Sequence, residues 1–244
     1  YDETRERARA VAIEMPDYAR FRQEGWFKVD PPAAPTVMLR EFRADPFAHP
    51  LATPSGKIEI YAETVASFGY EDCPGHPTWM PPYEWLGAGD GRHPLHLISN
   101  QPETKLHSQL DHGNHSRAAK IAGREPIHIH PSDATARGLA NGDIVRVWND
   151  RGACLAGVRI DDGIRAGVVQ MSTGAWYDPA DPGTPGSLCK HGNPNVLTRD
   201  KGTSSLGQGP TAHSCLVEIT RFDDAAPTIT AHDPPVILRP ASSA

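Results

Sequence analysis

The sequence lacks the features of three common protein classes. No apolar run in its 244 residues approaches the ~18 residues that a membrane-spanning helix needs. Its 24 Lys and Arg are outnumbered by 30 Asp and Glu, which leaves a net charge of −6 and no basic stripe. Its four cysteines contain no CxxC pair, which argues against a zinc ribbon or an iron–sulfur cluster made by this segment. We therefore expect no membrane span and no nucleic-acid partner.

Turn-forming residues, in contrast, are abundant. The 22 glycines and 24 prolines make up nearly a fifth of the chain, against about 12% in average proteins. Such a composition predicts short strands and many loops rather than long helices. The scattered thiols fit a reducing compartment as well as they fit two disulfides.

The first 90 residues predict a mixed segment followed by an irregular one. Local patterns favour helix over 1–24, interrupted at Pro16, and over 62–68, and strand over 37–42 and 57–61. Residues 29–36 form a proline-rich connector, and 70–92 contain four prolines with Trp79 and Trp85. Two tryptophans are unusual in a solvated linker, so we expect 70–92 to cover apolar surface, with a domain boundary near Gly91.

From residue 93 the pattern changes to short strands separated by tight turns. A two-turn helix is predicted over 131–138, with proline at its start and glycine at its end. Candidate strands span 95–99, 127–130, 144–149, 154–160, 167–172 and 214–220. Several short strands with one small helix are typical of a closed β-barrel.

Three loops of this half carry the side chains that could bind a ligand. Nearly every residue of 99–110 can donate or accept a hydrogen bond, as a loop that holds a polar ligand must. The second loop, 172–178, contains Trp176 and Tyr177, which could stack on a planar ring, and Asp178, which could accept from a ring N–H. The third, 189–210, has paired glycines that allow close approach of its backbone.

Two motifs resemble a known family. The run Ser99-Asn-Gln-Pro-Glu-Thr-Lys-Leu-His-Ser-Gln-Leu110 resembles the pterin-cofactor loop of molybdenum oxidoreductases of the dimethyl sulfoxide reductase family, especially the biotin sulfoxide reductase and trimethylamine N-oxide reductase branch. The run Asp133-Ala-x-x-Arg-Gly-Leu-Ala-Asn-Gly-Asp-Ile-Val-Arg-Val147 resembles the double-psi barrel of their last domain. The resemblance implies a mainly β chain with short helices: 1–90 as the tail of upstream α/β domains plus a linker, 91–222 as a double-psi β-barrel, and 223–244 as a proline-rich tail.

The resemblance also implies a cofactor and a set of contacts to it. The cofactor is molybdenum bis(molybdopterin guanine dinucleotide), with the molybdenum ligand upstream, so that no metal ligand or catalytic residue is assigned to this segment. Trp176 and Tyr177 would line the active site. The implied cofactor contacts are Ser99, Asn100, Gln101, Thr104, Lys105, Leu106, His107, Ser108, Gln109, Asn195, Gln208 and Gly209.

The implied activity is the reduction of S-oxides or N-oxides by oxygen-atom transfer at molybdenum. Its partners would be the upstream domains, a small S-oxide or N-oxide and an electron donor, in the bacterial cytoplasm or periplasm, with the cytoplasm preferred. Two alternatives stay open. One is a non-catalytic pterin-dinucleotide binding module or small subunit, and the other is a zinc hydrolase that uses His107, His112 and His115, although their spacing matches no helix-borne zinc motif.

Overall fold

A computed structural model describes residues 1–30, 34–89 and 91–234, and these form two compact units that divide between Tyr61 and Ala62. No helix in this described part of the chain has the length and apolarity that crossing a bilayer requires. Residues 31–33 of the predicted connector and 235–244 of the predicted tail lie outside the described residues. The assignment of 1–90, 91–222 and 223–244 as domains stays a prediction.

The first unit contains helices α1 (Asp2–Ala10), α2 (Tyr18–Glu24) and α3 (Arg40–Ala44). The predicted interruption of helix at Pro16 is confirmed, since α1 ends before this residue and α2 begins after it. The Asp17 carboxylate caps α2 by accepting from the Arg20 N–H at 2.8 Å, and Gly25 ends it with a φ of 78°.

The two strands predicted in this unit are wrong. Part of 37–42 belongs to α3, and 57–61 is irregular, with the Thr53 hydroxyl donating to the Lys57 carbonyl at 2.6 Å. Alternating apolar residues specify a face, but a strand also needs a hydrogen-bonded neighbour. Within the described residues of this unit there is no second strand to pair with.

The second unit begins with helix α4 (Glu63–Ala66), close to the predicted 62–68, and continues as irregular chain with one 3₁₀ turn at Leu86–Ala88. Glu84 fixes this irregular segment to the sheet. Its carboxylate accepts from Arg151 at 2.6 and 2.9 Å and from the Leu216 N–H at 3.0 Å.

Six strands close into a barrel in the order β1-β5-β2-β4-β3-β6. They are β1 (Leu95–Ile98), β2 (Pro126–Ile129), β3 (Ile144–Asn149), β4 (Gly152–Ile160), β5 (Val168–Met171) and β6 (Ser214–Arg221), with helices α5 (Asn114–Ala118) and α6 (Pro131–Ala136) and a 3₁₀ turn at Pro194–Val196 between them. The β1–β5 and β2–β4 pairs are parallel and the other four are antiparallel. All six predicted strands, the helix predicted over 131–138 and the mainly β closed barrel are confirmed, while the double-psi crossing stays a prediction.

The core lies inside this barrel and follows from the alternation of its strands. On β1, Leu95 and Leu97 are buried while Ile98 is 43% exposed. Strand β4 is buried over six consecutive residues, 153–158. One of them is Gly157, which the Ile121 side chain covers so closely that a Cβ there would overlap it. Cys154, Cys189 and Cys215 also lie in the core, and burial raises the pKa of Cys215 to about 12.

Substitutions at two adjacent residues of β1 should lower the free energy of unfolding by different amounts, because the two side chains lie on opposite faces of the strand. Leu97→Ala is expected to lower the free energy of unfolding by about 2–5 kcal/mol, because it leaves a cavity in the barrel. Ile98→Ala, on the outer face, should cost about 1 kcal/mol or less. Urea unfolding followed by near-ultraviolet circular dichroism measures both, and equal losses would contradict the assignment of faces.

Candidate functional site

The three polar loops meet at one end of the barrel. Because β1 and β5 run parallel, their carboxyl ends lie side by side, and from them leave the loops that begin at Ser99 and Ser172. Strand β6 runs antiparallel to β1, so the third loop arrives at the same end, where the Ser99 N–H donates to the His213 carbonyl at 3.0 Å. Topology thus brings together what is scattered in sequence.

The first two loops are bonded to each other directly. The Thr173 N–H donates to the Asn100 carbonyl at 2.9 Å, and the Ser172 hydroxyl donates to the Asn100 Oδ1 at 3.2 Å. The approach is closest at Gly174, where a Cβ would overlap the His107 carbonyl and where φ is 96°. Only glycine fits here, for steric and conformational reasons together.

Most predicted cofactor contacts of the first loop are exposed. A tight turn, closed by the Gln109 N–H donating to the Leu106 carbonyl at 2.9 Å, holds His107 in a left-handed conformation with φ 51°. A non-glycine residue in this region is strained, which is common at ligand-binding loops. The side chains presented outward are Gln101, Leu106, His107, Ser108 and Gln109, whereas Asn100 and Thr104 are half-buried and Ser99 is buried.

Trp176 lies against this turn. Its indole N–H donates to the Ser108 carbonyl at 2.8 Å, and its ring packs between His112 and His232, with centroids 5.5 and 5.3 Å away. The Trp176 and Tyr177 side chains remain exposed. The structure therefore joins Trp176 to 99–110, and Tyr177 follows it in the chain.

Asn195 and Gln208 form a second group. Both line an open cavity of about 460 Å³, together with Arg199 and Lys201. The Gln208 amide donates to the Ser205 carbonyl at 3.2 Å, and Gly209 accepts from the Thr203 N–H at 2.7 Å. No hydrogen bond within the described residues links Asn195 or Gln208 to 99–109, so the predicted contacts fall into two clusters.

Lys105 differs from its neighbours because its ammonium group is buried. It lies 3.0 Å from the Glu125 Oε1 and 3.4 Å from the Asp111 Oδ1, and Lys120 reaches the same two carboxylates at 2.8 and 3.0 Å. We name these four residues the buried charge cluster. These ion pairs connect the first loop to Glu125, the residue before β2. The Lys105 ammonium is therefore directed into the protein and not toward solvent.

Charges and hydrogen bonds in this cluster shift two pKa values. Burial alone would raise the pKa of Asp111, but hydrogen bonds from His232, Lys120 and the Trp176 N–H together lower it well below its usual range. Burial and the Lys120 charge lower the pKa of His191, which favours its neutral form. The His191 Nδ1 lies 3.0 Å from the Trp176 carbonyl.

Asp111, His191 and His232 bring potential metal-ligating atoms within 4.8 Å of one another. The His191 Nε2 is buried and has no hydrogen-bond partner among the described residues. However, two lysine ammonium groups already lie within 3.4 Å of the Asp111 Oδ1, and their charges oppose a metal cation. The histidines considered for zinc, His107, His112 and His115, belong to no metal-ligating cluster in the part of the chain that the structure describes.

Sequence reasoning missed the ion pairs of Lys105 with Asp111 and Glu125. It also assigned Asp178 to a ligand, whereas its partners lie in the chain. The Asp178 carboxylate is buried and accepts from the Thr230 N–H, the Thr230 hydroxyl and the Ala231 N–H at 2.7, 2.7 and 3.1 Å, rather than from a ligand. Charged residues are only slightly denser between Lys105 and Glu125 than in the whole chain, so composition did not single out Asp111, Lys120 or Glu125. Nothing local pointed to Thr230 or His232.

Comparisons with known proteins identify the family of the chain. Residues 95–216 match the family described as "Molydopterin dinucleotide binding domain". The chain is 42% identical over 236 residues to a dimethyl sulfoxide/trimethylamine N-oxide reductase of Cereibacter sphaeroides, covering 96% of this chain and 29% of that protein. It is 46% identical over 235 residues to a biotin sulfoxide reductase of the same organism, covering 96% and 31%.

One further relative and one solved structure are also similar to the chain. Over 197 residues the chain is 49% identical to a trimethylamine-N-oxide reductase 1 of Escherichia coli strain K12, covering 80% of this chain and 23% of that protein. Acetylene hydratase from Pelobacter acetylenicus has a similar fold, with a TM-score of 0.58 at 20% identity over 71% of this chain and 24% of that chain. The chain thus spans less than a third of the curated relatives it matches, and the predicted resemblance is confirmed.

The lowered pKa of Asp111 predicts a loss of stability in acid. A carboxylate with a depressed pKa stabilises the fold fully above its unfolded pKa near 3.9, and this contribution declines as the pH falls toward the folded pKa. Urea unfolding between pH 3 and 7 should therefore show a smaller loss of stability below about pH 4 in Asp111→Asn than in the unmodified chain. An identical pH dependence would contradict the assignment.

Proposed function

The chain belongs to the molydopterin dinucleotide-binding domain family, and on this premise we propose that it is the cofactor-holding portion of a larger molybdenum enzyme that reduces S-oxides or N-oxides. The match over residues 95–216 covers half of the chain and nearly the whole barrel, which runs from Leu95 to Arg221. The relatives named as dimethyl sulfoxide, trimethylamine N-oxide and biotin sulfoxide reductases support the substrate class.

One observation carries the proposal: three loops rich in hydrogen-bonding groups share one end of the barrel and present those groups outward. A pterin dinucleotide is large and flat, with donors and acceptors on its ring edges and a central pyrophosphate, and it needs many separate polar contacts. The amides of Gln101, Gln109, Asn195 and Gln208 are exposed at this end. They fit molybdenum bis(molybdopterin guanine dinucleotide), which when bound supplies the two-electron oxygen-atom transfer.

In this proposal the residues of this chain bind and orient the cofactor. The proposed contacts are Ser99, Asn100, Gln101, Thr104, Leu106, His107, Ser108 and Gln109 in one cluster, and Asn195, Gln208 and Gly209 in the other. Lys105 acts through the buried charge cluster, which holds the first loop in place. Trp176 and Tyr177 line the space beside it, where their rings keep water from a bound substrate.

We also propose that the chain packs against upstream domains of the full-length protein. Met38 and Phe47 in the first unit are more than 80% exposed, as is Trp79 in the second, and such large apolar side chains support packing against the upstream domains. Electrons would come from a separate donor. The four cysteines are free thiols, which supports the bacterial cytoplasm as the compartment.

Elemental mass spectrometry of the purified full-length protein, with fluorescence of its oxidised pterin, tests the proposal. We expect molybdenum with about two pterin dinucleotides per metal. A folded full-length protein that contains pterin but turns over no S-oxide or N-oxide would favour a non-catalytic binding module. Stoichiometric zinc without molybdenum would overturn the proposal.

Removal of the second cluster should weaken cofactor binding without unfolding the barrel. Asn195→Ala and Gln208→Ala in the full-length protein should each lower the pterin content or the activity, because each removes an exposed amide that would bond to the cofactor. Gln23→Ala, which removes an exposed amide from α2, is the control and should change neither quantity. Unchanged pterin content and activity in both site variants would refute the assignment.

A further inference from the structure

The segment Pro227–His232 follows the last strand. It is bonded to Asp111, at the end of the first loop, and to Asp178, in the second loop. It leaves β6 and returns across the barrel end, where the Arg124 guanidinium donates to the Pro227 carbonyl at 2.7 Å. The Ile229 side chain lies over Gly123, so close that a Cβ on that glycine would come within 2.7 Å of it.

Thr230 joins the segment to the second loop. Its N–H and its hydroxyl donate to the buried Asp178 carboxylate, and the Lys190 ammonium donates to the same hydroxyl at 2.8 Å. Lys190 also lies 3.1 Å from the Asp178 Oδ1. Hydrogen bonds to a buried charge are among the stronger ones in proteins, so this contact fixes the chain two residues after Trp176.

His232 joins the segment to the first loop. Its Nε2 lies 3.0 Å from the Asp111 Oδ2, the atom that also accepts from the Trp176 N–H at 3.2 Å. Its ring packs edge-on against the Trp176 ring, with centroids 5.3 Å apart, and against the His191 ring at 4.9 Å. Trp176 therefore has two fixed neighbours: its ring packs against the His232 ring, and its indole N–H bonds to the Ser108 carbonyl.

We propose that Pro227–His232 is a clasp that positions Trp176 and the turn at Leu106–Gln109 for the ligand bound at this end of the barrel, with Thr230 and His232 as its positioning residues. Neither side chain is assigned a contact to the ligand. The clasp acts through two buried carboxylates, Asp178 under the second loop and Asp111 under the first. This inference rests on the proposed function for the identity of the ligand, but not for the contacts.

Substitutions in the full-length protein test the clasp. Thr230→Val keeps the shape of the side chain and removes the hydroxyl that bonds to Asp178 and Lys190, and His232→Leu removes the bond to Asp111. Each should lower kcat/KM for the S-oxide or N-oxide by about tenfold, since a lost bond to a buried charge costs at least that factor. Hydrogen exchange of the amides in 105–111 and 172–178 should become faster, while exchange in β3 stays unchanged.

Two further variants separate positioning from general destabilisation. Thr230→Ser restores the hydroxyl and should recover activity to within about twofold, because the bonds to Asp178 and Lys190 re-form. Thr228→Val makes the same change two residues earlier. Both threonines are exposed, but among the described residues only the Thr230 hydroxyl has hydrogen-bond partners, so Thr228→Val should leave activity and exchange unaltered.

Each result has a definite meaning. If Thr230→Val and His232→Leu behave like Thr228→Val in both measurements, the clasp is refuted. Faster exchange with unchanged kcat/KM also refutes it, because the contacts would then be structural only. If the unmodified protein contains no pterin and no activity, the proposed function fails, and exchange in the two loops still shows whether the segment holds them.

Discussion

The candidate site depends on a balance of charge inside the protein. Lys105 and Lys120 share Asp111 and Glu125 at distances of 2.8–3.4 Å, and all four side chains are at least 94% buried. Two positive and two negative charges cancel, which offsets much of the cost of removing them from water. The arrangement joins three separate stretches: the first loop, the chain after α5 and the residue before β2.

Such a cluster contributes more to geometry than to stability. Buried ion pairs are often no more stabilising than apolar side chains of the same volume, but a shift of one partner leaves an uncompensated charge. The backbone between Lys105 and Asp111 contains two non-glycine residues in the left-handed region, His107 and Leu110. A strained turn persists only where its surroundings determine it, and the ion pairs at both of its ends provide that constraint.

The barrel was predictable because its strands are short apolar runs bounded by turn residues, and six such runs became six strands. The same reasoning failed for 57–61, where the pattern was present and the partner strand was not. In the site, the polarity of 99–110 is consistent with the exposure of Gln101 and Gln109, while their contacts to a cofactor stay a prediction. It could not distinguish Lys105 from them, because one partner of the Lys105 ammonium, Glu125, follows 20 residues later. The link between Asp111 and His232 spans 121 residues, and no local pattern encodes a separation of that size.

The order of strands around the barrel also has a consequence for synthesis on the ribosome. Among the described residues, strand β1 pairs with β5 and β6 alone, and these begin at Val168 and Ser214. The nascent barrel therefore exposes an unpaired apolar strand while at least 70 more residues emerge, a period in which it can associate with other chains. The barrel cannot close until translation passes Arg221. We therefore expect that shielding β1 from other chains during that interval raises the yield of folded protein.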